Sequence, residues 1–325
     1  MAEIPLRILI TRRWPDSVTT ELAARYDCVF NDHDIPLTKN QLIQGMQEFD
    51  ILCPTVTDRI DAEVIGAGDG RVQLIANYGA GTDHIDLAAA RQSGVRVSNT
   101  PDVLTDATAD LALLLMLMAS RRAGEAEREL RAGRWHGWAP TDLMGQGLQG
   151  KTLGLVGLGR IGLATARRAR SALSMRIVYH ARRRVAENVE RELEAEYHPT
   201  LGQLARNADV ISLHCPGTSE NHHLINASFI GEMKATAIVI NTARGNIVDE
   251  QALAAALQEQ RIAAAGLDVF ENEPCVPEAL LAAPNAVLLP HIGSATHETR
   301  TAMGMRVLEN IACFIDDTAL KDPVV

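Results

Sequence analysis

Gly157, Gly159 and Gly162 follow the apolar run TLGLV and open a stretch with helical spacing. That pattern suits a dinucleotide. Gly157 can make the tight turn, Gly159 lets a pyrophosphate approach the backbone, and Gly162 lets helix and strand pack closely, with the helix N-terminus facing the phosphates. Leu158, Arg160 and Ile161 lie within the same loop. Three later segments each leave an apolar run carrying groups able to do chemistry: Arg244 in NTARG, Asp268 and Glu273 in GLDVFENEP, and His291 in PHIGSAT. Arg, Glu and His together suit reduction of a 2-keto acid. Arg244 can hold the carboxylate and carbonyl oxygen, His291 can protonate the developing alkoxide, and Glu273 can orient the imidazole and favour its charged form. Taken singly, each has an ordinary explanation: a surface ion pair, a solvated acid, a histidine at a helix entry.

The second strand of the nucleotide-type segment ends MRIVYHARRR. NAD sites usually carry an acid there to accept from the ribose 2′-hydroxyl. Here His180, Arg182, Arg183 and Arg184 stand instead, with no acid before Glu187. Guanidinium groups clamp a 2′-phosphate that an acid would repel. Arg makes up 27 of the 31 basic residues, so an Arg run is less surprising here than elsewhere, but its place at the strand end outweighs this. NADP(H) is the expected cofactor, with NAD(H) a weaker second.

These groups need parallel strands to position them. Short Val-, Ile- and Leu-rich runs at 7–10, 51–53, 73–76 and 95–98 form one series. A second comprises 152–156, 176–179, 210–214, 237–241, 264–267 and 286–289. Continuous apolar strands separated by helical stretches signal parallel sheets buried on both faces. Two series imply an α/β fold of two doubly wound parallel-sheet domains. Between them, residues 102–121 read as a helix capped by Asp102, followed by a polar stretch at 121–134 and the segment RWHGWAP. Trp135 and Trp138 are expected to be packed, either within the chain or on another subunit. A last helix is expected at about 295–315.

A chain of 325 residues with 46% apolar and 22% charged residues is globular and of two-domain size, which excludes disordered, collagen-like and coiled-coil chains. Its net charge of −10 argues against a broad nucleic-acid footprint. The apolar run from Leu111 to Ala119 is too short for a bilayer, and the N-terminus lacks the features of a signal peptide. Five scattered cysteines without a CxxC pair argue for reduced thiols in the cytoplasm. No metal is expected. Asp83, His84 and Asp86 invite that suspicion, but a capped turn entering a helix at 87–92 explains them better.

GLGRIG, NTARG, GLDVFENEP and PHIGSAT, in this order, resemble the D-isomer-specific 2-hydroxyacid dehydrogenase family, and NYGAGTDHIDL resembles its substrate-domain signature. WHGWAP, YHARRR and HIGSATHETR are similar to the glyoxylate/hydroxypyruvate reductase branch. The resemblance implies that Arg244, Glu273 and His291 form the catalytic group. It implies that backbone at Tyr78, Gly79 and Ala80 binds the substrate carboxylate, with Ser294 near the pocket and Trp138 reaching a partner's pocket across a homodimer. Implied cofactor contacts are Thr108, residues 157–162, His180, Arg182, Arg183, His214, Cys215, Pro216, Asn221, Thr242, Ala243, Asp268 and Gly293. His180 departs from the family's NAD-type pattern, which has aspartate there.

The resemblance also implies a Rossmann-type nucleotide domain, 101–289, inserted in a flavodoxin-like substrate domain made of 1–100 and 290–325, with closure over a small 2-keto acid. Two other readings keep this fold. One is a bulkier keto acid or a sugar acid such as 2-ketogluconate. The other is a dinucleotide-sensing, corepressor-like binding protein.

Overall fold

The computed structural model describes residues 6–325. The first five residues, part of the segment read above for a signal peptide, lie outside the described residues. The chain divides into two compact units, residues 1–104 with 294–325 and residues 105–293. The first contains β1 (Arg7–Ile10), α1 (Asp16–Arg25), β2 (Asp27–Phe30), α2 (Lys39–Glu48), β3 (Ile51–Cys53), α3 (Ala62–Gly66), β4 (Leu74–Ala76), α4 (Leu87–Gln92) and β5 (Arg96–Ser98). The second begins with α5 (Thr105–Ser120), α6 (Ala123–Arg131), β6 (Thr152–Val156), α7 (Arg160–Leu173), β7 (Arg176–His180), α8 (Glu187–Leu193) and β8 (Glu196–Tyr197). It continues with α9 (Leu201–Asn207), β9 (Val210–Leu213), α10 (Ala227–Glu232), β10 (Ile238–Asn241), α11 (Glu250–Gln258), β11 (Ala264–Leu267), α12 (Glu278–Leu281) and β12 (Ala286–Leu288). The final helix, α13 (His297–Ile315), returns to the first unit.

Both sheets are parallel throughout, ordered β2-β1-β3-β4-β5 and β12-β11-β10-β9-β6-β7-β8. These are the flavodoxin-like and Rossmann-type windings. Apolar strands with side chains on both faces force this double cover. In β1, Ile8 and Ile10 enter one core cluster with Trp14, Val18 and Ile311, while Leu9 enters the other with Met46 and Leu52. In β10, Val239 packs with Leu253 and Phe270, whereas Ile238 and Ile240 pack with Leu115 and Tyr179. Residues 111–119 lie within α5, whose Ala112, Leu115 and Met116 are fully buried. Among the described residues, no helix is long and apolar enough to cross a membrane.

Several boundaries differ from those read in the sequence. The helix expected from 102 starts at Thr105, because Asp102 takes a left-handed φ of 67° that a helix cannot include. The polar stretch contains α6, whose acidic and basic residues pair one turn apart, Arg131 with Glu127 and Arg122 with Glu125. β2 and β8 were not expected. They are edge strands with polar or half-exposed residues, so they lack the apolar signature of buried strands. α13 starts at His297, where the Thr296 side chain accepts from the Thr299 N–H at 3.0 Å. Trp135 and Trp138 are 57% and 85% exposed, which overturns packing within the chain.

The far end of β7 is fixed by a cluster in which buried Tyr179 and Glu190 meet the exposed Arg184. The Tyr179 hydroxyl donates to Glu190 of α8 at 2.5 Å, and Arg184 reaches both carboxylate oxygens at 2.7 and 2.8 Å. Arg184, and after it Tyr179, hold the Glu190 carboxyl down to about 2. A carboxyl depressed on folding stabilises above its unfolded pKa, and that contribution is lost as pH falls through the folded value. Glu190→Gln should therefore flatten the decline of stability between about pH 4.5 and 2, read as urea midpoints across that range. An unchanged profile would remove this cluster from the account of acid stability.

Candidate active site

β6 and β9 are neighbours although two strands and three helices separate them in the chain, so the winding reverses between them. Ligands of open α/β sheets bind at the carboxyl ends of strands at such a point. Gly157 leaves β6 with φ 91°, and a Cβ there would lie 2.8 Å from the His214 carbonyl oxygen. A Cβ on Gly162 would lie 2.6 Å from the Gly157 carbonyl oxygen. Gly159 is the N-cap of the 14-residue α7, without a side-chain cap, and a Cβ there would meet open space. Two glycines are thus forced by packing and the third keeps a helix N-terminus uncovered, which fits a pyrophosphate.

The surroundings fit the rest of a dinucleotide. Burial pushes the His214 imidazole down to about 4 and the Cys215 thiol up to about 11, so both are neutral near pH 7. His214 Nε2 shares a 2.9 Å hydrogen bond with the Ser212 hydroxyl. Asn221 ties back to the Pro216 carbonyl at 2.8 Å. The Thr108 hydroxyl donates to the Gly293 carbonyl at 3.3 Å. Among the described residues the buried Thr242 hydroxyl has no hydrogen-bond partner, which suits a polar group of a bound dinucleotide. At the end of β7, His180 Nδ1 meets the His198 carbonyl at 2.9 Å. Arg182 pairs with Glu220 at 3.2 Å, both largely exposed, and Arg183 is exposed.

The acid–base groups lie beyond three adjacent strands. The register pairs Asn241 with Leu267 and Leu267 with Leu288, so β10, β11 and β12 end side by side. Arg244 follows β10, held by the Asn241 side chain, which donates to its carbonyl at 2.8 Å and accepts from the Ala243 N–H at 3.0 Å. Asp268 follows β11, buried. Its two carboxylate oxygens accept from the Ile292 and Gly293 N–H groups at 2.7 and 2.8 Å, and its carbonyl accepts from the His291 N–H at 2.8 Å. Burial raises the Asp268 carboxyl more than these two N–H donors and the His291 charge lower it.

His291 takes a φ of 54° and places Nδ1 2.8 Å from Glu273 Oε2. Glu273 Oε1 accepts from the Phe270 N–H at 3.0 Å. Burial opposes ionisation of Glu273, but the hydrogen bond and charge of His291, with smaller help from Phe270 and Arg244, hold its carboxyl below the usual value. With Nδ1 committed to a carboxylate, Nε2 is the atom from which a proton can be handed on.

In the first unit, Tyr78, Gly79 and Ala80 follow β4. The Tyr78 and Gly79 N–H groups donate to the Pro54 and Asn77 carbonyls at 2.9 and 3.0 Å, so they are engaged within the loop. The Ala80 carbonyl accepts from Asn99 at 2.7 Å. Ser294 lies just before α13, its carbonyl accepting from the Thr296 N–H at 2.8 Å. Asp86 caps α4, and His84 Nε2 meets Asn77 Oδ1 at 3.0 Å.

The description "D-isomer specific 2-hydroxyacid dehydrogenase, NAD binding domain" matches residues 113–293. A glyoxylate reductase of Korarchaeum cryptofilum is 43% identical over 95% of this chain and 92% of its own. One from Aeropyrum pernix is 44% identical, again over 95% and 92%. The crystal structure of an NADPH-dependent glyoxylate/hydroxypyruvate reductase from Sinorhizobium meliloti, in complex with NADP and malonate, superposes with a TM-score of 0.87. It is 37% identical and covers 99% of this chain and 97% of that one. The chain belongs to the D-isomer-specific 2-hydroxyacid dehydrogenase family, in its glyoxylate reductase branch.

As a member of this family the protein is an oxidoreductase that works with a nicotinamide dinucleotide. Sequence reasoning missed Asn241 as the brace of Arg244, although it stands in the same NTARG run. It also missed Glu220, whose approach to Arg182 spans 38 residues. Gly245 was missed too. A Cβ there would lie 1.8 Å from the Phe270 carbonyl carbon and 2.2 Å from the Glu271 nitrogen. The turn bearing Arg244 therefore touches the backbone that carries Glu273, with no room for a side chain. Gly245→Ala should cost about 3 kcal/mol or more of stability, read by urea unfolding, and should depress turnover by displacing both residues. Wild-type stability would show that the two segments part without cost.

Proposed function

We propose that the protein reduces glyoxylate, hydroxypyruvate or another small 2-keto acid with NADPH, yielding the D-2-hydroxy acid. The observation that carries this reading is the Glu273–His291 pair beside Arg244, on strands that end level with one another. The bound dinucleotide supplies the hydride that reduces the keto carbon. Arg244 holds the carboxylate and polarises the carbonyl oxygen. His291 delivers a proton from Nε2 to that oxygen as it gains the carbonyl electron pair, and Glu273 keeps the ring oriented through Nδ1. In the loop at 78–80, the Ala80 N–H is the donor assigned to the substrate carboxylate, because its two neighbours are already bonded. The D configuration follows the family to which the chain belongs.

The preference for NADPH is supported by two exposed arginines where NAD sites carry an acid. Residues 105–293 are the proposed nucleotide domain and the other unit the substrate domain. A homodimer is proposed from the apolar side chains left exposed around Trp138, with Trp135, Leu130 and Met144. Five free cysteines support a cytoplasmic location.

His291→Asn should lower kcat about 10²–10⁴-fold while NADPH still binds, as measured by fluorescence titration. Near-normal turnover in that variant would end the assignment. Arg182→Ala should weaken NADPH about tenfold or more and NADH little, given the strength of a charge-assisted hydrogen bond. Glu220→Gln should change KM for NADPH only slightly, since the exposed pair it removes is worth little. Equal effects on both cofactors would show that Arg182 does not read the 2′-phosphate.

A further inference from the structure

Two histidines outside the catalytic group converge on one carboxylate. His222 and His223 follow a single 3₁₀ turn, Ser219–Asn221. Consecutive side chains in extended backbone point to opposite sides. Here His223 takes a φ of 50°, and the two rings stack with centroids 3.9 Å apart. The His223 N–H is anchored on the Asn246 carbonyl at 2.9 Å, and its own carbonyl accepts from Asn226 at 3.1 Å. Both Nε2 atoms address the same oxygen, Glu271 Oε1, at 3.2 and 3.0 Å. Glu271 is positioned in turn, since its N–H donates to Glu250 Oε1 at 2.8 Å.

We propose that His222, His223 and Glu271 form a binding site for a zinc-class divalent cation. A tetrahedral zinc ion with bonds near 2.0–2.1 Å needs ligand atoms about 3.3 Å apart along each edge. The two nitrogen-to-oxygen separations, 3.2 and 3.0 Å, are already close to that edge, and all three ligand atoms lie within 4.8 Å of one another. Two imidazoles and a carboxylate suit Zn²⁺, Co²⁺ or Ni²⁺ and not the hard cations Mg²⁺ or Ca²⁺. The local charge favours a cation as well. Glu250 Oε1 lies 2.8 Å from the Glu271 nitrogen and Glu273 follows two residues on, so carboxylates gather around this segment.

Stacking adds to the argument. The two rings stack at 3.9 Å, and a single acceptor oxygen serves both. A cation bound by both Nε2 atoms and Glu271 satisfies all three groups at once. His222 is half exposed, so water can complete the coordination from the open side. The same segment carries Glu273 two residues on, so a cation on Glu271 would also stiffen the backbone behind the proposed acid–base pair. The site itself rests on its own geometry and does not depend on the dehydrogenase reading.

The test uses the full-length protein stripped with a chelator and titrated with Co²⁺, followed by its visible d–d absorption, and then with Zn²⁺ by calorimetry. One equivalent should bind with a tetrahedral Co²⁺ spectrum that Zn²⁺ displaces. His222→Ala and Glu271→Gln should each weaken binding about 10–100-fold or more, since loss even of groups that only orient a metal's ligands has that effect. Circular dichroism and melting temperature without metal should match wild type. The proposal is overturned if the wild-type protein shows no saturable binding, or if both variants bind as tightly as it does.

Discussion

Asp268 lies buried just past β11 with both carboxylate oxygens committed to the N–H groups of Ile292 and Gly293, while its carbonyl accepts from the His291 N–H. Three hydrogen bonds from one residue fix the path of three consecutive peptides. His291 sits at a φ of 54°, which a residue with a Cβ adopts only when its surroundings hold it there. That conformation sends the imidazole toward Glu273. The two N–H donors and the charge of His291 offset part of the cost of burying Asp268, which burial still leaves with a raised carboxyl pKa, and the same bonds shape the loop.

The sheet makes this arrangement possible and backbone packing sharpens it. Parallel strands in register deliver Arg244, Asp268 and His291 to one edge, each a few residues beyond its strand. Side chains alone would then leave the three segments loosely placed. Glycines close the gap: Gly245 brings the Arg244 turn against the Phe270–Glu271 peptide, and Gly157 brings the first turn of the nucleotide loop against His214. In both places a methyl group would collide with main-chain atoms, which cannot rotate away as a side-chain tip can. Close approach of backbone to backbone is what holds the chemistry in position.

The buried half of this molecule was readable from the amino acids. Strands covered on both faces are uniformly apolar, so β6, β9, β10 and β11 announced themselves, and the residues leaving their carboxyl ends followed. Edges were not readable. β2 and β8 carry Asp27, Glu196 and half-exposed neighbours because only one side needs to be dry. The turn at Asp102 was mistaken for a cap because an acid after proline fits either role, and φ is not written in the residue type. Contacts such as Arg182 with Glu220, or His223 with Glu271 across 48 residues, depend on loop paths that no local pattern encodes. For Trp135 and Trp138 the residue type left packing within the chain and packing on another subunit open, and their exposure removes the first.

The arginine run after β7 shows how such loop paths divide equivalent residues into different tasks. Arg184 spends its guanidinium on Glu190, whose other partner is the buried hydroxyl of Tyr179, and so joins β7 to α8. That anchor fixes where the run begins to turn and leaves Arg182 and Arg183 facing solvent ahead of it. In an acidic chain, exposed arginines attract carboxylates, and Glu220 has taken that place beside Arg182. An ion pair between two largely exposed groups is worth little in water. A dianionic phosphate offers the same arginine more charge and a geometry that matches its planar fork, so exchange of one anion for the other costs little. On the NADPH reading proposed above, Glu220 is a weak competitor that keeps Arg182 oriented without withholding it.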